Sequence, residues 1–339
     1  MNRPLTGVRR SQRAFTLIEL LVSLAIIAIL SSLTLAGLTV ARQRVKRDRT
    51  ELTIRKIHEV IMPHYERFRT RTFPLVPYLI PSSAPLVKPA EQIAQLVTKR
   101  RALVLEMPDG WADLLDSGTA NSTPSRALNP TPHYSAITRR LRQMAKDAYR
   151  PGTFSDAECL WAMVIRGGFA DPGIVEHFRE DEFGDKDKNG AREFIDGWGN
   201  PIRFLRWAPA FVSRYQPPAG AATMSHDAFD PGGRDPLART TLFPLVFSSG
   251  PDEQPGIACR DSEGSFSYPR VAFDPYFATR QPSPSGPPKQ HLTIVNSAGI
   301  VVFQLGSYTP PQSSDYTVPF GTPISGRAPD DVSNHAMSR

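Results

Sequence analysis

"RAFTLIELLVSLAIIAIL", residues 13–30, decides the fold, because past its opening arginine it is almost wholly apolar and yet holds one carboxylate, Glu19. From Phe15 to Ala41 no other side chain can ionise. At about 1.5 Å per residue, a helix over this stretch is long enough to cross a hydrocarbon core of about 30 Å. An acid in such a helix costs roughly 2.5–3.5 kcal/mol at the centre, less near the end, and usually has a partner. No Lys, Arg or His between Phe15 and Ala41 can serve. The partner is therefore a headgroup, another chain, or a charge created later. Arg3, Arg9, Arg10 and Arg13 ahead of the run, with "SSLTLAG" after it, also describe a signal peptide cut after Ala36. That reading leaves Glu19 unexplained and needs an apolar region well beyond the roughly 7–15 residues usual for one.

A basic leader, a small residue and then Phe-Thr-Leu-Ile-Glu-Leu-Leu-Val resembles the N-terminus of type IV prepilins and type II secretion pseudopilins. The resemblance implies cleavage by a prepilin peptidase between Ala14 and Phe15, N-methylation of Phe15, and Glu19 as the fifth residue of the mature chain. It also implies an assembly role for Glu19, paired with the N-terminal amine of a neighbouring pilin-like subunit. Opposite charges attract strongly at low dielectric, although each must be desolvated. The family is anchored by one helix in the inner membrane, with the leader cytoplasmic and the head periplasmic.

Charge is unevenly spread. The chain is +7 overall, but the leader holds four Arg and no acid. Residues 42–71 carry ten Lys/Arg against four Asp/Glu, and from Thr72 onward 26 basic residues face 28 acidic ones. The basic run is a collar suited to anionic lipid headgroups or neighbouring subunits. Without aromatic interleaving or a binding motif, no nucleic-acid partner is expected. The expected organisation is a basic leader (1–14), a transmembrane helix (15–41), a basic helix extension (42–72), a Pro-rich connector with a helical insertion (73–132), and an α+β head (133–339).

Leu52, Ile54, Ile57, Val60 and Ile61 recur at near-helical spacing, which predicts that the membrane helix continues to about Met62, with Pro63 kinking or ending it. Further amphipathic helices are predicted near 90–106, 134–148 and 155–167, their apolar stripes belonging to a core. "NPIRFLRW", "LFPLVFSSG" and "HLTIVNSAGIVVFQL" predict strands of an antiparallel sheet. "DGWGNPIRF" and the later "VFSSGPDEQPG" are similar to a turn and a following loop in the heads of major pseudopilins. There Gly197 and Gly199 permit tight backbone, Pro201 fixes entry to a strand, and Trp198 can seal the core edge.

"DKDKNGAREFID", residues 185–196, follows the calcium-loop pattern. Asp185, Asp187 and Asn189 take positions one, three and five, Gly190 the sixth, Glu193 the ninth and Asp196 the twelfth, with the Ala191 carbonyl available at the seventh. Asp at the last position replaces the longer, bidentate Glu, and the alternative is an acidic turn with no ion. In the pseudopilins that this chain resembles, calcium is held in the later loop, which makes Asp252 a competing ligand. Cys159 and Cys259 would face an oxidising compartment and could form a bridge, while Cys159 equally suits a buried helix position. No HExxH, GxSxG, P-loop or GxGxxG stretch occurs, and the seven His are scattered, with His58 and His64 expected to be solvated in the collar. No enzymatic role is expected.

Overall fold

A helix that is apolar on every side has nothing in its own chain to bury against, and the first part of α1 (Leu17–Thr70) has this character. The computed structural model describes residues 16–72, 88–114, 136–148, 154–169, 172–217, 227, 229–230, 233, 241–259, 292–295, 301–305, 321–324 and 331–336. The chain divides into two units, residues 1–46 and 47–339. In the first, the large apolar side chains from Leu17 to Val40 are all exposed, and none of the most apolar stretch is buried. Its hydroxyl side chains turn back onto the helix: Ser23 donates to the Glu19 carbonyl (2.7 Å) and Thr34 to that of Leu30 (3.0 Å). A helix whose polar groups are satisfied internally, with an apolar exterior, is suited to lipid.

In the second unit the same helix becomes amphipathic. Ile54, Ile57, Val60, Ile61, Tyr65 and Phe68 form one buried stripe at spacings of three and four. Of the two expectations at Pro63, a kink or an end, the helix does not end there but passes through the proline to Thr70. Burial explains this: Tyr65 and Phe68, beyond the proline, belong to the core, and the Tyr65 hydroxyl donates to the Leu242 carbonyl at 2.7 Å. Several collar cations are engaged within this unit. Lys56 pairs with Glu182 (2.9 Å), Arg49 with Asp181 (2.9 Å) and Arg71 with Glu106 (3.1 Å). His58 and His64 are half-buried rather than solvated; His64 stacks on Phe169 at 4.0 Å, and His58 meets the Asn334 amide at 3.0 Å.

The predicted helices are α2 (Lys88–Glu106), α3 (Ala136–Ala148) and α4 (Ser155–Trp161), with a single short turn α5 (Pro172–Val175) after them. Helix α4 widens over Ala162–Arg166, where the Gly167 N–H reaches back five residues to the Ala162 carbonyl (2.6 Å). A small antiparallel pair, β1 (Phe183–Gly184) and β2 (Glu193–Phe194), encloses the acidic loop. Strands β3 (Ile202–Leu205), β4 (Leu245–Ser248) and β7 (Val332–Ser333) form an antiparallel sheet in the order β3-β4-β7. β5 (Leu292–Val295) and β6 (Val301–Leu305) pair antiparallel. Alternate residues divide between two apolar clusters: Phe204 and Val246 join the larger with α1 and α4, and Leu205, Leu245 and Phe247 join the smaller. Each such side chain contributes about 1.5–3 kcal/mol on burial. The architecture is α+β, a long apolar helix followed by a globular part of helices and antiparallel sheets. The Pro-rich connector of residues 73–87 and the turn-rich stretch of residues 115–132 lie outside the described residues.

Candidate metal centre

Strand β2 packs against α4, and this brings carboxylates from two elements together. Glu158 on α4 and Glu193 on β2 are buried, and Asp187, in the loop between β1 and β2, is half-buried. One oxygen from each lies within 4.8 Å of the other two. Asn189 helps gather them: its amide donates to Glu158 Oε1 (2.6 Å) and Asp187 Oδ2 (3.1 Å). Trp111 Nε1 donates to Glu158 Oε2, and the Lys186 backbone N–H donates to Glu193 Oε2 at 3.1 Å. The other Glu193 oxygen, Oε1, is buried with no hydrogen-bond partner. Burial, and then the charges of Asp187, Glu158 and Asp185, push the Glu193 carboxyl up to about 8. Burial also raises Glu158, against the donated bonds from Asn189 and Trp111. A pocket of about 310 Å³ lined by Trp111, Glu158, Trp161 and Gly190–Arg192 adjoins Glu158.

The calcium-loop pattern in the sequence is thus only partly realised. Asp187 and Glu193 converge, and Glu158, which that pattern does not include, completes the group. Asp185 folds the loop instead, accepting the N–H groups of Asn189 and Gly190 at 3.0 Å each, and Gly190 takes the left-handed conformation (φ 93°). Asn189 Oδ1 accepts the Ala191 N–H at 2.8 Å. Asp196 is held in the next turn, where Oδ1 accepts from Trp198 and Asn200 (2.8 Å each) and Oδ2 from the Ser248 hydroxyl (2.6 Å). The competing ligand, Asp252, is exposed at the end of the turn Gly250–Asp252 and caps the Gln254 N–H at 3.0 Å. Cys159 and Cys259 are buried thiols in different apolar clusters, so the structure does not bridge them.

The Asp196 bonds join the two head segments singled out in the sequence. The Asp-Gly-Trp-Gly-Asn-Pro turn is tied to "FSSG" by Ser248 and by Asn200 Nδ2, which donates to the Gly250 carbonyl at 2.9 Å. Thr50 of α1 accepts the Gly197 N–H at 2.9 Å. Trp198 is half-buried at the edge of this arrangement.

Ala14 and Phe15 lie outside the described residues. Glu19 is exposed in the first turn of α1, and its backbone N–H donates to Thr16 Oγ1 at 3.3 Å, a side-chain cap on the helix start. Residues 9–35 match the family described as the prokaryotic N-terminal methylation motif. The chain carries the type IV prepilin and pseudopilin signature. The signature, which belongs to a structural family, supports a type IV pilin-like protein and implies processing by a peptidase and assembly with pilin-like subunits. The long apolar helix that follows fits single-pass membrane anchoring. No curated protein and no solved structure matches the chain.

Proposed function

We propose that the chain is a structural subunit of a type II secretion-like pseudopilus, anchored in the inner membrane with its head in the periplasm. The observation that carries this is the methylation motif running directly into an apolar helix with Glu19 in its first turn. Cleavage before Phe15 creates an ammonium four residues from that carboxylate. In an assembling filament the Phe15 amine of one subunit is neutralised by Glu19 of its neighbour, favouring one register over others where water is excluded. The work of the protein is then helix packing and assembly, not turnover. The closed turn linking Asp196 to Ser248 supports the secretion-type choice, because it joins the two segments similar to those of major pseudopilin heads.

The test is a host lacking the chain, complemented with wild type or Glu19→Ala. Wild type is expected to restore protein secretion without building surface filaments, and Glu19→Ala to reach the membrane yet fail to restore secretion. The protein found in filaments extending beyond the envelope would make it a surface pilin instead. Full function of Glu19→Ala would leave only a membrane-anchored binding module.

A further inference from the structure

The geometry points to a divalent-cation site of the calcium class formed by Glu158, Asp187 and Glu193. It is independent of the assembly reading, since it lies wholly within residues 47–339. Two separate observations carry it. Three carboxylates from α4, β2 and the intervening loop present oxygens within 4.8 Å of one another. In addition, Glu193 is 0 % exposed, and its Oε1 has neither a hydrogen bond nor solvent.

Charge sharpens the case. Among the described residues no Lys, Arg or His side chain forms an ion pair with any of the three. Of the cations nearby in sequence, Lys186 Nζ reaches Asn200 and Glu253, Arg192 reaches Glu180 and Arg203 pairs with Asp156, while Lys188 is exposed. Other buried acids in the core have a cation or a full set of donors: Asp227 meets Arg100 (3.0 Å), Asp156 meets Arg203 (2.8 Å), and both Asp196 oxygens accept hydrogen bonds. Uncompensated buried charge is costly, so this group calls for a cation or a proton. Hard oxygen donors with no nitrogen or sulfur among them suit calcium or magnesium. Calcium tolerates irregular geometry such as two elements and a loop provide, whereas magnesium demands a near-ideal octahedron. The pocket bordering Glu158 and Gly190–Arg192 offers a route from solvent. A bound ion would fasten the β1–β2 loop to α4.

The experiment uses the full chain in detergent, stripped with chelator and titrated separately with calcium chloride and magnesium chloride by calorimetry, with Tm followed in parallel. The expected result is one calcium per chain, with Kd on the order of 10⁻⁴–10⁻³ M or tighter, and a Tm that rises with calcium as mass action requires. Glu193→Gln and Asp187→Asn should each weaken calcium binding at least about tenfold. Asp252→Asn should leave it unchanged. Should Glu193→Gln fail to fold, the half-buried Asp187 position decides alone. No heat and no Tm shift would overturn the site. Binding lost with Asp252→Asn but kept with Asp187→Asn would move the ion to the later loop, and tighter binding of magnesium would overturn the assignment to calcium.

Discussion

His335 shows how one buried side chain sets a pH dependence. Its Nε2 donates to the Pro244 carbonyl (3.2 Å) and its Nδ1 accepts from the Ser213 hydroxyl (3.0 Å), so the neutral ring satisfies both partners. Phe211, Tyr215 and Phe243 surround it. Burial, with His58 adding positive charge nearby, lowers its pKa to about 4. Because the folded value lies below the unfolded one of about 6.5, the unfolded chain gains a proton first as pH falls. Stability is therefore whole above about pH 6.5 and declines down to about pH 4, by about 3 kcal/mol in total. Urea unfolding of the detergent-solubilised protein at pH 7 and pH 4.5 should show this loss, and His335→Gln should remove most of it. An equal loss in the variant would assign the pH dependence to the acids instead. Nothing in "VSNHAMSR" marks His335 for this role, since its partners lie about 90 and 120 residues away in sequence.

At the level of elements, Pro63 lies inside α1, where it breaks the hydrogen-bond ladder. A proline inside a helix removes one hydrogen bond and costs about 3 kcal/mol relative to alanine. The helix nevertheless continues, because Tyr65 and Phe68 are buried beyond it. Pro63→Ala should therefore raise Tm, by a stability gain of about 1–3 kcal/mol read from thermal unfolding. An unchanged or lower Tm would mean that the proline itself is needed to seat those two rings. The same helix marks where sequence is informative and where it is not. Periodicity predicts its buried stripe from Ile54 to Ile61, and local β-propensity locates β3, β4 and the β5–β6 pair. Local reading falls short at Pro63, which kinks or ends a helix by rule and here lies inside one that burial carries on to Thr70. It fails again at Glu158: "SDAECLW" reads as a core helix, and every residue from Asp156 to Trp161 is indeed buried. The available signal was two acids within so apolar a turn. Which partners they meet, Arg203 for Asp156 and Glu193 and Asp187 for Glu158, depends on contacts far along the chain. Of the residues in the linear calcium pattern, the fold brings Asp187 and Glu193 beside Glu158, while the oxygens of Asp196 are drawn to Trp198, Asn200 and Ser248.

For the molecule as a whole, the long apolar segment and the head make different demands. Residues 17–40 expose large apolar side chains that require lipid or the helices of other subunits. The head carries its own core, its paired buried charges and the carboxylate group at α4 and β2. Both demands are met if the chain is matured in the membrane and then packed by its helix into a filament. The intact mass of the protein extracted from its own membranes tests this most directly. The expected chain begins at Phe15, lacks residues 1–14 and carries one methyl group on the Phe15 amine. An unprocessed mass, or a cut near Ala36, would contradict it.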